Sequence, residues 1–235
     1  MQMHTSYYID LMKKVLTDQI HHPSAARQDG QDWPEFGLTM VGMERLQNIQ
    51  YCVASILRED ILGDFLEAGV WKGGAAMFMK AMLKEAKVEN RAVWLADSFQ
   101  GLPPPKAEYP ADAGDTHYQH KALAISLKEV QENFRRLDLL DANVRFVEGW
   151  FHETLPICSV ERLALLRLDG DMYESTIVTL QALYDRVTPG GYVIVDDYGY
   201  IESCRNAVHD FLGARKLYPQ IHKIDWTGVY WRKSA

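Results

Sequence analysis

Cysteine is scarce: the 235 residues hold three, Cys52, Cys158 and Cys204, far apart and with no C-x-x-C pair. That excludes a disulfide scaffold and a cysteine-built zinc site and fits a reducing cytoplasm. Positive charge is short as well. With 25 Lys and Arg against 32 Asp and Glu, the formal net charge is −7, and the chain as a whole lacks the basic surface that a nucleic-acid backbone requires. No run of 18 apolar residues exists, and the opening MQMHTSYYIDLMKK carries charges where a secretory segment would be apolar. The expectation is a soluble, cytoplasmic protein with neither a membrane nor a nucleic acid as partner. Also missing are G-x-G-x-x-G and Y-x-x-x-K, which argues against a sugar-nucleotide dehydrogenase or epimerase. What remains is 47% hydrophobic content, enough for one full α/β core.

Residues 160–198 say most: VERLALLRLDGDMYESTIVTLQALYDRVTPGGYVIVDDY. Two apolar runs, 163–168 and 192–195, end in acids, Asp169 and Asp171 after the first, Asp196 and Asp197 after the second. One helix length and a Pro-Gly-Gly turn separate them, which predicts parallel neighbouring strands with their carboxyl ends on one edge. Four carboxylates gathered there repel one another unless a hard divalent cation with oxygen ligands neutralises them. The plainer alternative is that each aspartate caps a helix or closes a turn.

Helical spacing marks residues 7–20, a flap or an oligomer contact, and residues 44–58; an aperiodic stretch, 21–38, lies between them as a long loop of the kind that often forms a lid. Then strand and helix alternate: strands at 65–68, 92–96 and 144–147, helices reaching about 84 and spanning 126–136, and a second long loop at 100–121 with three consecutive prolines. After the acid-tipped strands come a helix over 202–215 and a hairpin of 221–224 with 228–231. Such alternation gives an α/β fold, doubly wound around a mostly parallel sheet, with ligands outside the carboxyl ends of the strands. Residues 1–60 read as an N-terminal helical extension and lid, and 61–235 as the main domain.

The turn Glu67-Ala68-Gly69-Val70-Trp71-Lys72-Gly73-Gly74 ends the first of these strands and opens a helix. Glycine there lets backbone approach a ligand, and a helix N-terminus offers free N–H groups. A glutamate at the strand tip repels a phosphate and suits a ligand ammonium, so an amino-acid-bearing nucleoside fits better than a dinucleotide. Asp97, ending the next strand, is placed to accept hydrogen bonds from ribose hydroxyls.

The pieces LEAGVWKGGA, VWLADSFQGLP, VRFVEGWFHETLP, LRLDGDMYEST, TPGGYVIVDDY and GVYWRKSA resemble the macrocin O-methyltransferase family from about Thr39 to the C-terminus. The resemblance implies a class I, Rossmann-like methyltransferase with a seven-stranded sheet, using S-adenosylmethionine and Mg2+ to methylate sugar hydroxyls of macrolide and aminocoumarin antibiotics. It implies Asp169, Asp196 and Asp197 as metal ligands. Glu67, Gly69, Val70, Gly73 and Asp97 would hold the methyl donor, with Ser98 and the Gly149-Trp150-Phe151 turn near adenine, Asp169 also facing the donor, and Thr39 and Met40 in its covering segment.

A sugar hydroxyl is a poor nucleophile, so a base is needed beside the cation. Asp171, two residues past Asp169, is the first candidate; the helix that follows could instead use it as a cap. His117 and His120 in DTHYQHK are the alternatives, and Tyr173, Tyr198 and Tyr200 are candidates to frame a sugar. The expected partner is a small glycoside, and the expected assembly a homo-oligomer. A catechol or caffeoyl-type methyltransferase would share the metal triad and differ in the loops. A donor-binding protein without catalysis would have no need of four aspartates at one mouth.

Overall fold

The computed structural model describes residues 6–234; residues 1–5 and 235, the ends of the expected extension and of the resembling segment, lie outside them. Seven strands form one sheet: β1 Asp64–Ala68, β2 Val93–Asp97, β3 Val144–Glu148, β4 Leu163–Leu168, β5 Val187–Val195, β6 His222–Lys223 and β7 Val229–Arg232. Their order is β3-β2-β1-β4-β5-β7-β6, with β1 to β5 parallel and β7 antiparallel to both neighbours. Alternating side chains feed two cores. Phe65, Val93, Leu165 and Ile194 pack with α1 (Tyr7–Leu16), α2 (Met43–Arg58), α3 (Gly74–Glu85) and α4 (Leu127–Arg136). Leu66, Trp94, Leu166 and Val193 pack with α6 (Tyr173–Leu183) and α7 (Glu202–Ala214) on the other face, near the single turn α5 (Phe151–Thr154). The sheet is therefore doubly wound and mostly parallel, as the alternation predicts.

The acid-tipped strands are indeed parallel neighbours, Leu165 opposite Tyr192 and Leu168 opposite Val195. Their tips stay in line with that of β1, because Asp169 N–H donates to Ala68 O at 2.8 Å and Asp196 N–H to Leu168 O at 2.9 Å. Gly69 is what permits so close a crossing: its φ is +87°, and a Cβ there would overlap the Asp169 carbonyl oxygen.

Two local expectations need correction. Thr188-Pro189-Gly190-Gly191 is no free turn; it lies within β5, where the register slips between Leu163 and Leu165 as a bulge absorbs the extra residues. The first helix stops at Leu16, and Asp18 takes φ +58°, so 17–20 turn away from the helix. Among the described residues no helix is long and apolar enough to cross a membrane.

Candidate active site

A cavity of about 300 Å³ opens over the carboxyl ends of β1, β2, β4 and β5. Gly69, Val70, Asp97 and Ser98 line one side, with Gly149, Trp150 and Phe151 beside them, and Met40 also lines the cavity. Asp97 organises this wall. Its Oδ2 accepts from Val70 N–H at 2.8 Å and its Oδ1 from Phe99 N–H at 2.7 Å, which ties the glycine turn to the β2 tip. Burial raises its pKa and these amide bonds oppose the rise. Ser98 Oγ donates to Gly101 O at 2.6 Å and so closes the next turn.

Three expected donor residues do not line the cavity. Gly73, at φ +90°, is the N-cap of α3, and a Cβ there would lie 2.9 Å from Val130 Cγ1. Thr39 is buried behind Met40, its Oγ1 accepting from Val41 N–H at 3.2 Å. Glu67 is buried behind the wall, where Arg167 Nη1 donates to its Oε1; its Oε2 has no hydrogen-bond partner among the described residues. Burial pushes the Glu67 carboxyl upward and Arg167 opposes it.

On the other side the acids meet. Ligand oxygens of Asp169, Asp196 and Asp197 lie within 4.8 Å of one another. Asp196 offers one oxygen to Arg167 and the other to Arg45, each with a second lone pair besides, and although burial raises its pKa these two guanidinium groups hold it below the usual carboxylate range. Asp169 accepts from Arg167 Nη1 at 2.8 Å. Among the described residues Asp197 has no such counter-ion: burial first, then Asp171, Asp169 and Asp196, push its pKa well up. Hard oxygen donors that outnumber the two guanidinium groups beside them fit a divalent cation. Asp171 stands at the same mouth with φ +60°, its N–H donating to Asp197 Oδ2 at 3.2 Å. Burial pushes its carboxyl up to about 7, Asp169 adds to the rise and His117 opposes it. Asp171 does not cap α6. That helix starts after Met172, and Asp112 takes its first amides, Tyr173 N–H at 2.7 Å and Glu174 N–H at 2.9 Å.

Two loops close the remaining side. His117 lines the cavity, and its Nδ1 is 2.7 Å from Asp115 Oδ2. Burial alone would lower its pKa; Asp115 and Asp171 raise it on balance. His120 stays outside and packs edge-on against Trp33, centroids 5.8 Å apart. Of the three tyrosines only Tyr200 lines the cavity; Tyr173 donates to Asp210 at 2.9 Å, and the Tyr198 hydroxyl is 2.7 Å from His209 Nε2.

The model of the macrocin O-methyltransferase (TylF) family matches residues 21–233. The chain belongs to that family. Similar proteins are 8-demethyl-8-(2,3-dimethoxy-alpha-L-rhamnosyl)-tetracenomycin-C 4'-O-methyltransferase of Streptomyces olivaceus, 46% identical over 97% of this chain and 93% of that one, and mycinamicin III 3''-O-methyltransferase of Micromonospora griseorubida, 44% identical over 97% and 96%. Among solved structures the O-methyltransferase NovP superposes with a TM-score of 0.95 at 42% identity, covering 97% of this chain and 98% of that one. This member of the macrocin O-methyltransferase family is an S-adenosylmethionine-dependent O-methyltransferase.

In this macrocin O-methyltransferase family member, sequence reasoning missed the residues that hold the site together. Arg167 interrupts the apolar run LALLRL, and Arg45 falls on the inner face of α2 with Ile49 and Cys52. Both are buried, and a cation at an apolar position is the signal that could have found them. Asp225 faces Arg45 Nε at 2.9 Å and accepts Thr227 and Gly228 N–H, so the hairpin turn joins the same network.

Proposed function

We propose that this enzyme moves a methyl group from S-adenosylmethionine to a sugar hydroxyl of a small glycosylated natural product, with Mg2+ at the acid cluster. One observation carries the reading: a single cavity holds the glycine turn with Asp97 on one side and Asp169, Asp171, Asp196 and Asp197 on the other. The relatives named above, whose own acceptors are a tetracenomycin-linked rhamnose and mycinamicin III, support the acceptor class.

Gly69, Val70, Asp97 and Ser98 would hold the donor, with the 149–151 turn and Met40 around it and Gly73 setting the start of α3. Glu67, buried behind the wall and held by Arg167, takes no direct part in holding the donor in this reading. Asp169, Asp196 and Asp197 would hold the cation. The donor supplies a methyl group on a sulfonium, and the cation supplies positive charge that eases deprotonation of a hydroxyl. Asp171 is the proton acceptor. It faces the cavity at the β4 tip, whereas His117 commits Nδ1 to Asp115 and sits where its charge favours the carboxylate form of Asp171. His120, outside the cavity, has no part in this reading.

The test is incubation with labelled donor and a panel of deoxysugar glycosides beside simple catechols. Label should enter a glycoside, vanish with EDTA and return with Mg2+. Asp171→Asn should cut turnover by roughly 10²-fold while donor and Mg2+ still bind. Full activity in chelator would remove the metal from the reading, and preferential labelling of catechols would replace the acceptor.

A further inference from the structure

Trp71 is the second residue of the glycine turn's non-glycine stretch, and its backbone sits at φ +47°. A bulky side chain is a poor occupant of the left-handed region, where glycine or asparagine costs less, and such a conformation persists only where surrounding contacts enforce it. The indole Nε1–H donates to Ala122 O at 2.8 Å, 51 residues away in the loop that carries Asp115 and His117. Lys72, whose Nζ lies 4.4 Å from the Trp71 ring centroid, reaches the other way: it donates to Glu35 O at 3.2 Å and Gly37 O at 3.3 Å in the first loop. Gly74 N–H adds a bond to Leu38 O at 2.9 Å. Val70, the preceding residue, is tied to Asp97 on the donor side. One short turn thus faces the donor wall with its backbone and grips both acceptor-side loops with two consecutive side chains.

We propose that Trp71 and Lys72 are positioning residues that transmit occupancy of the donor turn to the two loops that close the cavity, ordering them before an acceptor enters. The inference rests on the reading above that the donor lies against this turn. A ligand fixing the turn fixes the anchor points of both loops, and the ordering cost of the loops is then already met when the acceptor arrives. By linkage, the closed loops retain the donor by the same factor.

S-adenosylhomocysteine is the probe, and peptide-resolved hydrogen exchange is the measurement. In the wild-type enzyme it should slow exchange in residues 69–74, in 115–124 and in 33–38, by about 5-fold or more in each loop. Trp71→Phe keeps the ring and loses the donor, so the response of 115–124 should disappear while that of 69–74 remains and affinity for the probe by calorimetry changes less. Lys72→Met should silence 33–38 and leave 115–124 responsive. Trp71→Gly removes both indole and strained backbone, and its thermal midpoint should hold or rise while the loop response is lost; a purely structural Trp71 would lower the midpoint instead. Equal protection of 115–124 in Trp71→Phe, or no protection of either loop in the wild type, overturns the coupling. No protection of 69–74 overturns the donor placement and the coupling with it.

Discussion

The two halves of the cavity are built from different materials. Under the acid cluster, strand tips and two buried guanidinium groups do the holding: Arg167 bridges Glu67, Asp169 and Asp196, and Arg45 joins Asp196 to Asp225. Across the opening, backbone carbonyls hold the loops. Arg27, itself buried, donates to the carbonyls of Asp32, Thr39 and Met40, Trp226 Nε1–H to Asp29 O at 2.8 Å, and Trp71 and Lys72 complete the set. The first half concentrates charge in a dry place, so loss of one partner strands the others. The second spreads mostly neutral-acceptor bonds along loop chain, with the Arg27–Asp32 ion pair at 2.7 Å beside them, so each can be lost separately. The lesson is that the acid side should fail as a unit and the loop side in increments.

Arg167→Met is the strongest challenge to this contrast. It leaves Glu67 and Asp196 buried without their shared cation, and a loss of about 3–5 kcal/mol in denaturant unfolding is expected. Adding Glu67→Gln should return part of it. A loss below about 1 kcal/mol would mean that the network is not a unit.

Asp112→Ala sharpens the boundary between the halves, because Asp112 belongs to the second loop yet caps α6 beside the acid cluster. Loss of the cap should cost about 1–2 kcal/mol, with Asp112→Asn in between, and hydrogen exchange should quicken in 112–120 before it does in β4. Simultaneous loosening of both would contradict the incremental behaviour of the loop. The smallest effect is expected at Lys84–Asp138, a pair at 2.6 Å whose carboxylate is almost wholly exposed. Asp138→Asn should leave the unfolding midpoint unmoved within error, since exposed pairs contribute little.

Strand tips were legible because a buried strand announces itself as an apolar run and a tip acid breaks it, as in LLRLDGD and VIVDD. Asp97 was legible for the same reason, although its bonds to Val70 and Phe99 amides were not, since they depend on φ values that composition does not specify. Pro189-Gly190-Gly191 misled because local turn propensity was read without the β7 partner that draws this stretch into a ladder through Gly190 N–H and Lys233 O. The partners of Arg45 and Asp112 at the site escaped because they lie 60 or more residues away in sequence, a distance at which spacing carries no signal. Asp171 illustrates the middle ground: its place at the mouth followed from the pattern, while its freedom from capping duty emerged only once Asp112 was seen to occupy the α6 N-terminus.

The crossing of Gly69 with Asp169 also bears on how this enzyme could be re-engineered. With no room for even one methyl group between the β1 and β4 tips, the spacing between the glycine turn and the acid cluster is fixed by main chain alone. Selection for a bulkier donor analogue or for a different gap between the two walls would find no side chain to trim there. Variation in acceptor scope has to accumulate in the loops, where Trp33, Leu123 and Tyr200 meet the cavity on segments that other residues anchor. A library confined to such positions would explore new acceptors on an unchanged reaction frame.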